Sequence, residues 1–189
     1  PFPCGRATHG MIDGVLQLKR RHGFAADEVA RVDCWVPPLT HRLVGRPAQS
    51  DMAPNYARLC AAYAVACAIL NGTVDIGDFS PGMLADASRL ALAARVALRI
   101  DHNPDPNALA PVRVAVTLAG GATHAIDVAQ VYGSPARPLS REAHLAKFRR
   151  NWASGALPLP EAAGEALAAR VEALEEVGDV NELADLLVA

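Results

Sequence analysis

Apolar residues recur at helical spacing from Thr8 to Arg21. Ile12, Val15, Leu16 and Leu18 make a partial apolar face, and Lys19, Arg20 and Arg21 fall in the last turn, where cations suit the helix dipole. Gly23 predicts the stop. The period then changes to two over Val29 to Val36. Val32, Cys34 and Val36 fall on one side, and Arg31, Asp33 and Trp35 on the other, which predicts a half-buried strand. Pro37-Pro38 ends it, and the polar stretch up to Pro54 reads as a loop. Asn55 to Leu70 is alanine-rich and apolar almost all round, the pattern of a centrally buried helix closed by Asn71-Gly72. A further helix is predicted over Met83 to Ala94.

Three alternating runs follow: Val96 to Asp101, Val112 to Leu118, and Thr123 to Val131. The last two flank Gly120-Gly121, a hairpin signal. Tyr132 to Leu139 carries Gly133, Pro135 and Pro138 and reads as a turn or linker. Helices are predicted over Ser140–Ala153, Glu161–Glu176 and Asn181–Val188, with Ser140 as a cap and Pro160 as a starter. Helices and strands mix without strict alternation, so the fold class is α+β with a helical tail.

Composition narrows the function classes. The chain has 189 residues, 51% hydrophobic and 20% charged, an ordinary globular balance that excludes disorder, collagen and a disulfide-stapled miniprotein. With 18 basic against 20 acidic residues and 5% aromatics, it offers neither the basic excess nor the stacking platform of a nucleic-acid binder. Ala57 to Leu70, the longest apolar stretch, is shorter than the ~20 residues of a membrane span and contains Arg58.

The four cysteines, Cys4, Cys34, Cys60 and Cys67, form no C-x-x-C pair and no metal-ligand spacing with histidine. Cys60 and Cys67 lie about two helical turns apart, on the order of 10 Å and too far for a disulfide. Buried free thiols in a reducing cytoplasm are therefore expected, with no metal. The first residue is Pro1, so a processed chain or part of a longer one is expected.

Three positions invite chemistry. His9 and Asp13 are four residues apart, so both project from one helix face, where a carboxylate can orient an imidazole for acid–base work. The same spacing suits a polar pair closing a helix N-terminus. Tyr63 lies among alanines and needs a hydrogen-bond partner or a cavity, and a carbonyl in the core would serve equally. Arg58 has the planar fork of a carboxylate clamp, or of a surface ion pair. His41, His102, His124 and His144 have no partner at ligand spacing. There is no G-x-G-x-x-G, Walker loop or G-x-S-x-G.

Several stretches in order resemble the C-terminal half of the MmgE/PrpD family, which includes 2-methylcitrate dehydratase and cis-aconitate decarboxylase. Pro3-Cys4, Thr8-His9 and Ile12-Asp13 are similar to its P-C…H…iDA motif. Ala57-Arg58 and Tyr63-Ala64-Val65-Ala66 through Asn71-Gly72 resemble its A-R…Y-x-v-A…G helix. Gly133, Pro135, Pro138-Leu139-Ser140 and Lys147-Phe148 resemble its G-x-P…P-L-S…K-F signature, and Leu174 to Leu187 its ending.

That resemblance implies a lid-type α+β domain over residues 1–132 with a mixed or antiparallel sheet. A helical segment over 133–189 would return to an all-helical domain. It implies a cytoplasmic, homodimeric lyase of propionate metabolism, without cofactor or metal, that dehydrates a citrate-like polycarboxylate such as 2-methylcitrate. Decarboxylation and epimerisation are the family's other reactions. Tyr63 and His9 would be the lid's catalytic residues, and Arg58, Cys4 and Arg6 its substrate contacts. The family's lysine before the aromatic-Pro-Cys motif would precede Pro1, and Gly5 stands where many members carry cysteine or histidine. The remaining acid–base groups would come from an N-terminal helical half, in cis or in trans. The alternative is a non-catalytic lid or binding module that pairs with a separate helical subunit.

Overall fold

The computed structural model describes residues 1–157 and 159–188. The chain divides into two compact units, one spanning Phe2–Pro138 and the other Leu139–Ala189 together with Pro1.

The first unit is built on a four-stranded mixed sheet in the order β2-β1-β3-β4, where β1 is Val29–Val36, β2 Val96–Ile100, β3 Val112–Leu118 and β4 Thr123–Val128. β1 runs parallel to β2 and antiparallel to β3, and β3–β4 is the expected hairpin. Alternation decides the two faces. Val32, Cys34 and Val36 of β1, with Val114 and Val116 of β3, have no exposed surface. Each such valine contributes on the order of 1.5–3 kcal/mol by leaving water.

The opposite face is polar. Asp33 accepts from Arg31 (2.7 Å) and from Arg99 of β2 (2.9 Å), and Arg113 pairs with Asp127 of β4 (3.1 Å). Burial opposes ionisation of Asp33, but the two arginines hold its carboxyl below the usual carboxylate range. The half-buried Trp35 stands on this face, in register with Arg99 on one side and Arg113 on the other.

Helix α1, His9–His22, lies against the apolar face, and Gly23 closes it in the left-handed conformation (φ 70°). A Cβ at Gly10 would stand 2.9 Å from Val112 Cγ2, and one at Gly14 2.7 Å from Val114 Cγ2. These two glycines, one helical turn apart, let α1 approach β3 more closely than any side chain would permit. Helix α4, Ala61–Asn71, is buried from Ala61 to Ile69, as its all-round apolar pattern requires. Lys19 donates its ammonium to the Ile69 carbonyl near the end of α4, a favourable place for a cation.

Three expectations need correction. The stretch after β1 is not all loop: Pro38 starts a short helix, α2 (Pro38–Val44), because a proline is as good an opener of a helix as a terminator of a strand. The helix expected over 55–70 is broken into α3 (Pro54–Ala57) and α4, because Cys60 takes an extended conformation (φ −103°, ψ 101°) and bridges to Gly45. Tyr63 therefore sits in the first turn of α4 rather than in mid-helix. The helix expected over 83–94 splits into α5 (Pro81–Leu84) and α6 (Ala87–Ala93), where Asp86 leaves the helix to cap α6 through Arg89 N (2.8 Å).

The second unit comprises α7 (Arg141–Ala153), α8 (Glu161–Glu172), a 3₁₀ turn at Leu174–Glu176 and α9 (Asn181–Asp185). Ser140 caps α7 by accepting from Ala143 N at 3.2 Å, as expected. Arg149 grips Glu165 with two hydrogen bonds (2.6 and 2.8 Å), and Trp152 donates to the Pro160 carbonyl (3.2 Å) over Gly164. Among the described residues of this unit Gly164 alone is buried, while Leu157, Val180 and Val188 are 69–72% exposed. No helix among the described residues is long and apolar enough to cross a membrane.

Candidate functional site

The start of the first unit folds back on itself. A 3₁₀ turn at Arg6–Thr8 runs directly into α1, which puts His9 at the first helical position. Thr8 is fully buried, and its hydroxyl meets the Gly5 carbonyl (2.8 Å) and the Cys4 thiol (3.0 Å). Burial pushes the Cys4 thiol up to about 11, against the opposing effect of that hydroxyl. Cys4 at neutral pH is therefore a thiol, a polarisable lining group rather than a nucleophile.

His9 is 6% exposed. Its Nε2 lies 3.2 Å from the Cys4 carbonyl, and its ring meets Phe2 edge-on at 5.3 Å. A carbonyl can only accept, so Nε2 carries the hydrogen and Nδ1 is the basic atom of the neutral ring. Arg6 is exposed.

Gly5 joins this turn to the helix pair behind it, since its N–H donates to the Arg58 carbonyl at 2.8 Å. A Cβ there would stand 2.6 Å from Leu59 Cδ2, the movable end of an exposed side chain. Arg58 is half-buried. It donates to Asn55 (3.1 Å), and its guanidinium lies 5.6 Å from the centre of the Phe79 ring. Phe79 in turn stands 6.0 Å from Tyr63.

Cys4, Arg6 and His9 thus share one local folding-back, which is joined to Arg58 through its backbone carbonyl. Tyr63 lies beyond the Phe79 ring and has no exposed surface. Its hydroxyl is bound to the carbonyls of Asp78 (2.6 Å) and Met83 (2.9 Å). Burial, and then the neighbouring Cys67, push the phenol well above its usual range. The group keeps its proton, which is engaged by those two carbonyls.

Asp13 does not stand in reserve for His9. It is 4% exposed, and Arg137 grips both its oxygens, with NH2–Oδ1 at 3.2 Å and NH1 on Oδ2, while Gln17 adds a bond of 2.8 Å. Arg137 also covers the Tyr132 ring at 5.2 Å. The Asp13 hydrogen bond and charge raise the already high pKa of Arg137, against the opposing effect of burial. A cavity of about 320 Å³ adjoins it, lined by Gln17, Asp127, Val128, Ala129, Gln130, Ala136 and Arg137.

The sequence pattern does not single out Arg137. Its one signal is an isolated cation between Pro135 and Pro138, 124 positions from the carboxylate it serves. Asp78 and Arg89, paired at 3.1 Å, likewise carry no spacing that would mark them. Among the described residues no three His, Cys, Asp or Glu side chains gather to hold a metal ion.

Residues 2–173 match the MmgE/PrpD C-terminal domain. The chain is 27% identical over 195 aligned positions to cis-aconitate decarboxylase from Mus musculus, a match that covers 98% of this chain and 38% of that protein. The chain thus spans well under half the length of this curated relative.

Proposed function

The chain belongs to the MmgE/PrpD family, and from that premise we propose that it is the lid-bearing C-terminal portion of a cofactor-independent lyase acting on a small citrate-like polycarboxylate. The observation that carries the reading is the joining of the turn that bears Cys4, Arg6 and His9 to Arg58 through the Gly5–Arg58 backbone bond. Two arginines and a histidine on adjoining segments suit a substrate rich in carboxylates. Removal of water from such a substrate needs one group to take a proton from carbon and another to protonate the departing hydroxyl. His9 accepts a proton or, once protonated, pairs with a substrate carboxylate, and Tyr63 donates or relays its proton when its hydroxyl turns from the two carbonyls that hold it. Arg58 and Arg6 orient carboxylates, and Cys4 lines the wall.

The remaining acid–base groups come from a helical half in the same polypeptide or in a partner, and the working form is a homodimer. The exposed Leu157, Val180 and Val188 favour such a covering partner for the helices after Leu139. The dehydration of 2-methylcitrate is the first reaction to assay. The similarity to a protein named cis-aconitate decarboxylase favours decarboxylation as the second reading.

The test uses the full-length protein with citrate, 2-methylcitrate and cis-aconitate. Absorbance of the conjugated double bond follows dehydration, and carbon dioxide release follows decarboxylation. Tyr63→Phe is expected to lower turnover about 10²-fold, the scale of one proton-transfer group. Unchanged turnover in that variant removes Tyr63 from the mechanism, and inertness of the parent protein towards all three acids refutes the substrate class.

A further inference from the structure

Resting on the proposed role of Tyr63, we infer that Asp78 is the positioning residue for the Tyr63 phenol, its side chain anchoring the turn whose backbone carbonyl holds the hydroxyl. The Tyr63 hydroxyl has one hydrogen and two carbonyl acceptors, Asp78 O at 2.6 Å and Met83 O at 2.9 Å. Both belong to short elements, a 3₁₀ turn at Ile76–Phe79 and α5, each only four residues long. Such single turns do not hold their own shape in isolation. Something else must fix where those carbonyls stand.

The Asp78 carboxylate does this from three directions. It is 5% exposed, and its Oδ1 accepts from Asn71 at the end of α4 (2.7 Å) and from Arg89 of α6 (3.1 Å). Its Oδ2 accepts from the N–H of Asp75 (2.8 Å), half of a reciprocal capping box with that residue. Asn71 lies on the helix that carries Tyr63, so the phenol and the anchor of its acceptor share one rigid element. A displacement of the turn would move the Asp78 carbonyl relative to a hydroxyl that cannot follow it.

The electrostatics point the same way. Burial and then the Asp78 charge push the Cys67 thiol, one helical turn from Tyr63, up to about 12. That negative charge also adds to the factors disfavouring a phenolate at Tyr63. Asp78 thus fixes the place of the hydroxyl, and its charge adds the smallest part to a retention of the proton that burial dominates.

The test uses the full-length protein, with steady-state kinetics and a spectrophotometric titration of its tyrosines. Tyr63 is assigned by subtracting the titration of Tyr63→Phe. Asp78→Ala is expected to lower kcat about tenfold with KM changed less than twofold, and to let Tyr63 ionise at a lower pH than in the parent. The neutral pair Asp78→Asn with Arg89→Gln leaves no lone buried cation and keeps one oxygen to accept from Asn71 and residue 89, giving up only the bond from Asp75 N–H. It is expected to recover kcat to within about threefold of the parent. If Asp78→Ala does not fold, this double variant decides, and its failure to recover kcat while folding cooperatively overturns the inference. An unchanged kcat in a folded Asp78→Ala overturns it. Full activity of Tyr63→Phe would sink the catalytic reading of Tyr63 instead, and the titration would still report on Asp78.

Discussion

Replacing Arg137 with methionine removes the guanidinium from Asp13 and leaves an apolar stem of similar length over Tyr132. Losing one partner of a fully buried ion pair costs about 3–5 kcal/mol, whereas an exposed pair is worth about 0–1 kcal/mol. This pair lies between those limits, with side-chain exposures of 37% for Arg137 and 6% for Asp13. Water can reach the vacated place, and Gln17 still donates to the carboxylate. The expected loss is therefore about 2 kcal/mol, with up to about 1 kcal/mol more for the contact with the Tyr132 ring.

In a chain of this size that corresponds to a fall in Tm of roughly 5–10 °C, followed by circular dichroism. The mechanism also makes a second, opposite prediction. Adding Asp13→Leu to Arg137→Met removes the stranded charge, so the double variant should return to within about 1 kcal/mol of the parent. An unchanged Tm in the single variant, or a double variant no better than the single, would refute the account. The clamp matters for function because it fixes the segment after β4 to the helix that carries His9.

Two further outcomes are expected. Gly14→Ala places a methyl group 2.7 Å from Val114 Cγ2. Overpacking of about 1–3 kcal/mol then exceeds the gain of about 1 kcal/mol in helix propensity, and any rise in Tm would contradict it. His22 and His124 stack with ring centroids 3.7 Å apart, and the pKa of His22 is lowered below 6.5, first by desolvation, then by His124 and Arg21. A lowered histidine favours its neutral form in the fold, so its contribution is fully present above pH 6.5 and is lost as pH falls below it. The slope of Tm against pH in that window should flatten in His124→Thr, and an unaltered slope would count against the contact.

The strands and the first helix were legible in the sequence because each carries a single period over its whole length. β1 and β3 are read without error for that reason. The broken helices were not, because the break at Cys60 depends on a bridge to Gly45, fifteen positions away, which no local pattern records. The candidate site was half legible. His9, Cys4 and Arg58 stand in recognisable motifs, but the partner that engages Asp13 comes from Arg137 and the carbonyls that engage Tyr63 come from a turn. Neither leaves a trace in spacing. Gly10 and Gly14 also passed unremarked, although a pair of glycines one turn apart inside a helix marks a surface pressed against its neighbour.

The chain has two tryptophans, and the fold deals one to each unit, Trp35 on the open face of the sheet and Trp152 over Gly164. These 189 residues therefore carry one intrinsic fluorophore per unit, with no label to add. Replacing either with phenylalanine leaves emission that comes from a single unit. Two such variants, melted side by side, report whether the sheet unit and the helical tail unfold as one body or in succession. They also make any polypeptide that covers the tail visible as a change in Trp152 alone.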